Sequence, residues 1–125
     1  MIDQYLLVAL GGALGALARY QVSVQVRLHV VDSWPLATLG VNILGSLGIG
    51  IVFVLLERGI IHTDFRSLVV IGFFGAFTTF SMFSLELLHL IERGALQSAL
   101  SYALASLVCC LAGVSLGVWS ARAIL

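Results

Sequence analysis

Gly75-Ala-Phe-Thr-Thr-Phe-Ser-Met-Phe-Ser-Leu-Glu86 strings hydroxyl side chains among phenylalanines and ends on a carboxylate. It lies inside the third of four apolar stretches, Gln4–Ala18, Pro35–Leu56, Ser67–Leu85 and Ala95–Ala121. The last three reach the roughly 18–20 residues that span a bilayer, and the first does so if it continues past Arg19 to Val26. Polar atoms at membrane depth persist only when buried in protein or lining a polar cavity. The stretch therefore predicts an all-α membrane protein of four transmembrane helices, the third carrying a permeation or binding site. Gly75 and the consecutive threonines also disfavour regular helix, so helix three is expected to be interrupted near Gly75–Thr79.

Composition agrees. Of 125 residues, 61% are hydrophobic and 10% charged, against about a quarter charged in soluble domains. One four-helix domain over residues 1–125 is expected, with helices at about 4–28, 35–57, 65–91 and 95–122. The first segment does not read as a signal peptide, because Asp3 is its only early charge. Six arginines, no lysine and zero net charge offer no basic surface, which excludes a nucleic-acid partner. Cys109 and Cys110 read as small apolar packing residues, and His29, His62 and His89 as interfacial ones without ligand spacing.

The breaks are short. His29-Val-Val-Asp-Ser-Trp-Pro35 separates the first two helices, with Pro35 suited to a first helical position. Glu57-Arg-Gly59 and Glu92-Arg-Gly94 each end a helix on a glycine able to turn left-handed. Asp64 is the candidate cap of helix three. A cytoplasmic N-terminus puts Arg58, Arg66 and Arg122 inside and Arg27 and Arg93 outside, a bias close to nil. Two orientations pairing antiparallel, or one orientation set by weak cues, both remain open. Gly11-xxx-Gly15 and Gly113-xxx-Gly117 mark close helix contacts, within or between subunits. A monomer this small has little interior to hide a polar pathway, so a homodimer is expected.

Several side chains carry chemistry. Asn42 shares a helix face with Thr38 and Ser46 and serves either as interhelical glue or as a donor facing an anion. Phe80 and Phe83, at i and i+3, either pack or offer electropositive ring edges. A small, hard anion is strongly hydrated, so compact donors must replace its water. Thr79, Ser81, Ser84, Asn42 and the Tyr102 phenol are such donors, and none has a fixed charge that would trap the ion. Glu86 sits either in the pathway or at the interface. Arg19, about 22 Å along the first helix, either snorkels or lines an anion-attracting vestibule.

Gly72-Phe-Phe-Gly-Ala-Phe-Thr-Thr-Phe-Ser-Met-Phe-Ser-Leu-Glu86, with Gly40-Val-Asn-Ile-Leu-Gly45 and Gly12-Ala-Leu-Gly-Ala-Leu-Ala-Arg-Tyr20, resembles the motifs of the small bacterial fluoride channels, the Fluc/CrcB family. The resemblance covers nearly the whole chain. It implies an antiparallel, dual-topology homodimer in the bacterial inner membrane, passing fluoride through two pores at the subunit interface. It matches Phe80 and Phe83 to the pore phenylalanines, Asn42 to the pore amide and Tyr102 to the helix-four tyrosine. It also implies a structural sodium ion held by the backbone carbonyls of Gly75 and Thr78. Efflux would be passive, because a negative-inside potential drives an anion outward by about 2.3 kcal/mol per 100 mV. Met82 departs from the family's threonine and removes a donor beside Glu86.

Two other classes compete. A small proton-coupled multidrug exporter has similar size, but helix one here lacks the deep acid such exporters need. A non-transporting membrane-assembly protein accounts for the glycine faces and leaves Thr78-Thr79-Phe80-Ser81 unexplained. Neither an enzyme nor an ATP-driven pump is indicated.

Overall fold

The computed structural model describes residues 3–30 and 34–125. Part of the expected break at 29–35 lies outside those residues. Four helices, α1 (Gln4–His29), α2 (Leu36–Glu57), α3 (Ser67–Glu92) and α4 (Leu96–Ile124), are each long and apolar enough to cross a bilayer. Their ends follow local chemistry. The Asp3 carboxylate accepts the Tyr5 N–H at 3.1 Å and caps α1. Gly59 (φ 66°) and Gly94 (φ 76°) take the left-handed conformation after α2 and α3, as the two Glu-Arg-Gly sequences predict. Pro35 sits one residue earlier than expected, at the cap position of α2.

Asp64 does not cap α3. Its carboxylate lies 3.1 Å from His62 Nδ1. The Phe65 and Arg66 N–H groups turn back onto His62 and Thr63, so the chain enters the helix beyond Asp64's reach.

Packing divides the subunit in two. α1 lies along the first part of α3, and α2 lies along α4. Glycines permit both approaches. A Cβ on Gly11 or Gly15 would overlap the carbonyls of Leu68 or Phe73, and one on Gly117 would overlap the Leu47 carbonyl. Both small-xxx-small pairs are therefore used within the subunit, through dispersion contacts between backbones. On the α2–α4 side, Arg122 reaches the Glu57 carboxylate at 3.1 Å, and Arg58 donates to the Arg122 carbonyl.

α3 has three parts. Ser67–Phe74 is wound with wide π-type turns, the Gly75 N–H reaching back to Val70. Gly75–Phe77 is a short α-turn. Thr78 (φ −87°, ψ 161°) and Thr79 (φ −155°, ψ 123°) are then extended, and helix resumes over Phe80–Glu92. The interruption falls at the two β-branched threonines, and Gly75 is itself helical (φ −60°, ψ −36°). The break also changes partners. Before it α3 packs on α1, and after it on α4. There Leu90, Ala99 and the fully buried Tyr102 form a small core flanked by Phe83 and Trp34. Much of the remaining large apolar surface faces outward, toward lipid or another chain.

Candidate functional site: the interrupted third helix

Extended backbone at Thr78 and Thr79 takes peptide groups out of the helical ladder, and in hydrocarbon each must find a partner. Asn42 supplies two of them. Its Oδ1 accepts the Thr79 N–H at 2.8 Å, and its Nδ2 donates to the Thr79 carbonyl at 3.0 Å. The side-chain amide thus pairs with both backbone polar groups of Thr79, as a neighbouring strand would. Thr79 then caps the next segment, its hydroxyl accepting the Met82 N–H at 3.2 Å. Thr78 Oγ1 donates back to the Phe74 carbonyl at 2.8 Å.

One turn further, Glu86 joins three helices. Thr38 Oγ1 on α2 donates to Glu86 Oε1 at 2.7 Å, and the Tyr102 phenol on α4 donates to Oε2 at 2.8 Å. Donors from α2 and α4 thus meet on the two oxygens of one carboxyl group and tie the second part of α3 to both helices. Phe83 stacks at a tilt on Tyr102 (5.2 Å between centroids) and on Phe80 (5.5 Å).

Two cavities meet at this segment. A cleft of about 750 Å³ is lined by Arg19, Arg27, Thr38, Thr79, Ser81, Met82 and Glu86, among others. A second, of about 520 Å³ and mainly apolar, is lined by Asn42, Thr78, Thr79, Phe80, Phe83 and Ser106, among others. Thr79 borders both. The hydroxyl and aromatic residues therefore do not form one strip. Ser81, Met82 and Glu86 face the charged cleft, while Phe80 and Phe83 face the apolar cavity with Asn42. Ser84 lines neither and returns its hydroxyl to the Phe80 carbonyl of its own helix at 2.9 Å. Arg19 stands in the cleft, and Met82 lines the same wall as Glu86. Phe80 is 79% exposed on the subunit.

The break also explains which carbonyls lack helical partners. In an unbroken helix the Gly75 carbonyl would accept from Thr79 and the Thr78 carbonyl from Met82. Those N–H groups are committed to Asn42 Oδ1 and Thr79 Oγ1 instead. Among the described residues, no cluster of His, Cys, Asp and Glu could hold a metal ion.

Sequence reasoning missed three features. It read Asn42 as glue or as an anion donor, without the reciprocal pairing to the Thr79 N–H and carbonyl. It counted Arg27 only toward the charge bias and gave it no role in the site, although Arg27 lines the cleft with Arg19. It did not single out Ser106, whose buried hydroxyl has no hydrogen-bond partner among the described residues and borders the apolar cavity. The only sequence signal for Ser106 was its position one turn from Tyr102.

These features define a multi-pass membrane protein whose few polar groups gather at a broken helix beside two cavities. Comparison with known proteins makes the class specific. The family described as "CrcB-like protein, Camphor Resistance (CrcB)" matches residues 6–118, and the chain belongs to that family. A relative from Saccharophagus degradans, named "Fluoride-specific ion channel FluC", is 46% identical over 91% of this chain and 86% of its own length. Relatives of the same name from Hahella chejuensis and Coxiella burnetii are 44% and 47% identical, each over 94% of this chain. They cover 94% and 96% of those proteins. The relatives are named as channels and not as enzymes.

Proposed function

We propose that this chain is the subunit of a fluoride-selective channel that lets fluoride leave a bacterial cell passively across the inner membrane. One observation carries the reading: at Thr79 a charged cleft and a phenylalanine-lined cavity share a wall, in a family whose relatives bear that channel name. Arg19 and Arg27 raise the local anion concentration in the cleft. Thr79 and Ser81 offer hydroxyls on its wall, compact donors that replace water without a fixed charge. Beyond Thr79, the Phe80 and Phe83 ring edges and the remaining Asn42 amide hydrogen favour an anion in a cavity too apolar for its full hydration shell. Glu86 would stay out of the ion's first shell while its oxygens are held by Thr38 and Tyr102. In that role Thr38 and Tyr102 orient the carboxylate, and Ser84 lies at the margin of the pathway.

An antiparallel homodimer, with two pores at its interface, suits the exposed face. Phe80, Ser81 and Ser84 all lie open on a single subunit. Hydroxyls beside an open cavity at membrane depth favour protein over lipid as the neighbour. A sodium ion fits the Gly75 and Thr78 carbonyls, both released from the ladder, with Gly75 on the exposed surface. Such an ion supplies a positive charge that two subunits can share and performs no step of conduction.

Fluoride efflux from liposomes holding the purified protein, with chloride measured in parallel, tests the reading. Potential-driven fluoride loss with little chloride loss is expected. Equal loss of both anions, or none from folded protein, would overturn it. Export of a lipophilic cation coupled to protons would instead favour the multidrug exporter.

A further inference from the structure

We propose that Asn42 is the positioning residue that keeps α3 open at Thr78–Thr79 and so holds the Gly75 and Thr78 carbonyls available to a monovalent cation. The proposal rests on the sodium reading above and assigns to α2 the control of a site built on α3.

The argument follows the peptide groups. Thr79 is 9% exposed, which leaves its N–H little access to solvent. It has one partner, Asn42 Oδ1 at 2.8 Å. The neighbouring alternative in the chain is the Gly75 carbonyl, its i−4 partner in a continuous helix. A buried donor that loses its acceptor seeks another, because leaving it unpaired costs more than the net gain of one ordinary bond. Without the Asn42 amide, Thr79 is driven to rejoin the ladder, and the Gly75 carbonyl is consumed. The second contact closes the reverse route. Asn42 Nδ2 holds the Thr79 carbonyl at 3.0 Å, so the peptide units on both sides of the Thr79 Cα are tied to one amide and Thr79 is kept extended. The hydroxyl of the same residue takes the Met82 N–H, which would otherwise return to the Thr78 carbonyl. Gly45 makes the seat for this arrangement, since a Cβ there would overlap Thr78 Cγ2. Asn42 therefore touches the anion's cavity with one edge and governs the cation's carbonyls with the other.

The test is thermal unfolding of detergent-purified protein at rising sodium chloride, with N-methylglucamine chloride keeping ionic strength constant. Wild type is expected to gain stability with sodium. In Asn42→Ala, the sodium concentration giving half the gain should rise about tenfold or more, as the loss of two hydrogen bonds implies. Asn42→Asp keeps the acceptor for Thr79 and loses the donor, so its midpoint should fall between, and it carries the test if the alanine variant does not fold. A uniform drop in stability with the sodium midpoint unchanged, even with fluoride flux lost, would show that Asn42 serves only packing or the anion, and would overturn the proposal. A wild type indifferent to sodium would sink the sodium reading itself, a failure visible without any mutation.

Discussion

The two parts of α3 on either side of Thr78–Thr79 are the same length scale of helix put to opposite uses. Ser67–Phe77 is apolar, wound wide, and pressed on α1 so closely that glycine backbones meet. Phe80–Glu92 contacts α4 through side chains and leaves Phe80, Ser81 and Ser84 open. The first part is held by dispersion at short range, which tolerates no added atom. The second is held by a few directional bonds converging on Glu86. Stability thus resides in one part and chemistry in the other, and the break lets a single helix do both.

The largest effect that would break this contrast comes from the packed part. A Cβ on Gly72 would lie 2.8 Å from the Val8 carbonyl oxygen and 2.9 Å from Gly11 Cα, backbone atoms with no room to yield. Gly72→Val should destabilise by about 1–3 kcal/mol or more, read as a lower unfolding temperature or loss of monodisperse protein. Gly12→Ala, one position from a packed glycine, meets nothing within 4 Å and should stay within about 0.5 kcal/mol of wild type. Equal behaviour of the two variants would remove the distinction.

Next in size is the Glu86 cluster. Thr38→Val leaves Oε1 without its donor and should cost about 1–3 kcal/mol. Combined with Tyr102→Phe, the losses should depart from additivity by about 0.5 kcal/mol or more, because both donors serve one carboxylate. Additive losses in a double-mutant cycle would show that the two bonds are independent.

Smaller in stability, and sharper for function, is Phe80→Leu. Helical content by circular dichroism should not change, since the ring is mostly exposed on the subunit. Fluoride efflux should fall. Unchanged efflux would move the pathway away from the apolar cavity. The smallest effect is expected at Met82, which lines the cleft but donates no side-chain hydrogen bond. Met82→Thr should raise flux or leave it unchanged, and a large loss measured in liposomes would show that the thioether is required.

Much of this was legible in the residues. Four long apolar runs, glycine stops at Gly59 and Gly94, and a polar interruption near Thr79 are local properties. Bilayer thickness and backbone hydrogen bonding constrain them so tightly that few folds remain. Residue chemistry offered Asn42, Phe80, Phe83, Glu86 and Tyr102 as candidates, and the family resemblance matched all of these but Glu86 to a pore. What spacing could not supply was direction. Period 3.6 puts Met82 and Glu86 on one side and Phe80 and Phe83 on another, but which side meets Arg19 and which meets Asn42 depends on how α1 and α2 pack around α3.

The sequence by itself therefore determined the class of the protein, the number of its spans and the place where its third helix fails. These follow from the free energy of polar groups in hydrocarbon, which each residue carries wherever it sits. Helix packing alone set the pairing of Asn42 with the Thr79 N–H and carbonyl, the hold of Thr38 and Tyr102 on Glu86, and the use of the glycine pairs inside the subunit. Hydrogen bonds act over about 3 Å and require angular alignment. A contact between residues 37 or 48 positions apart exists only once the helices have met.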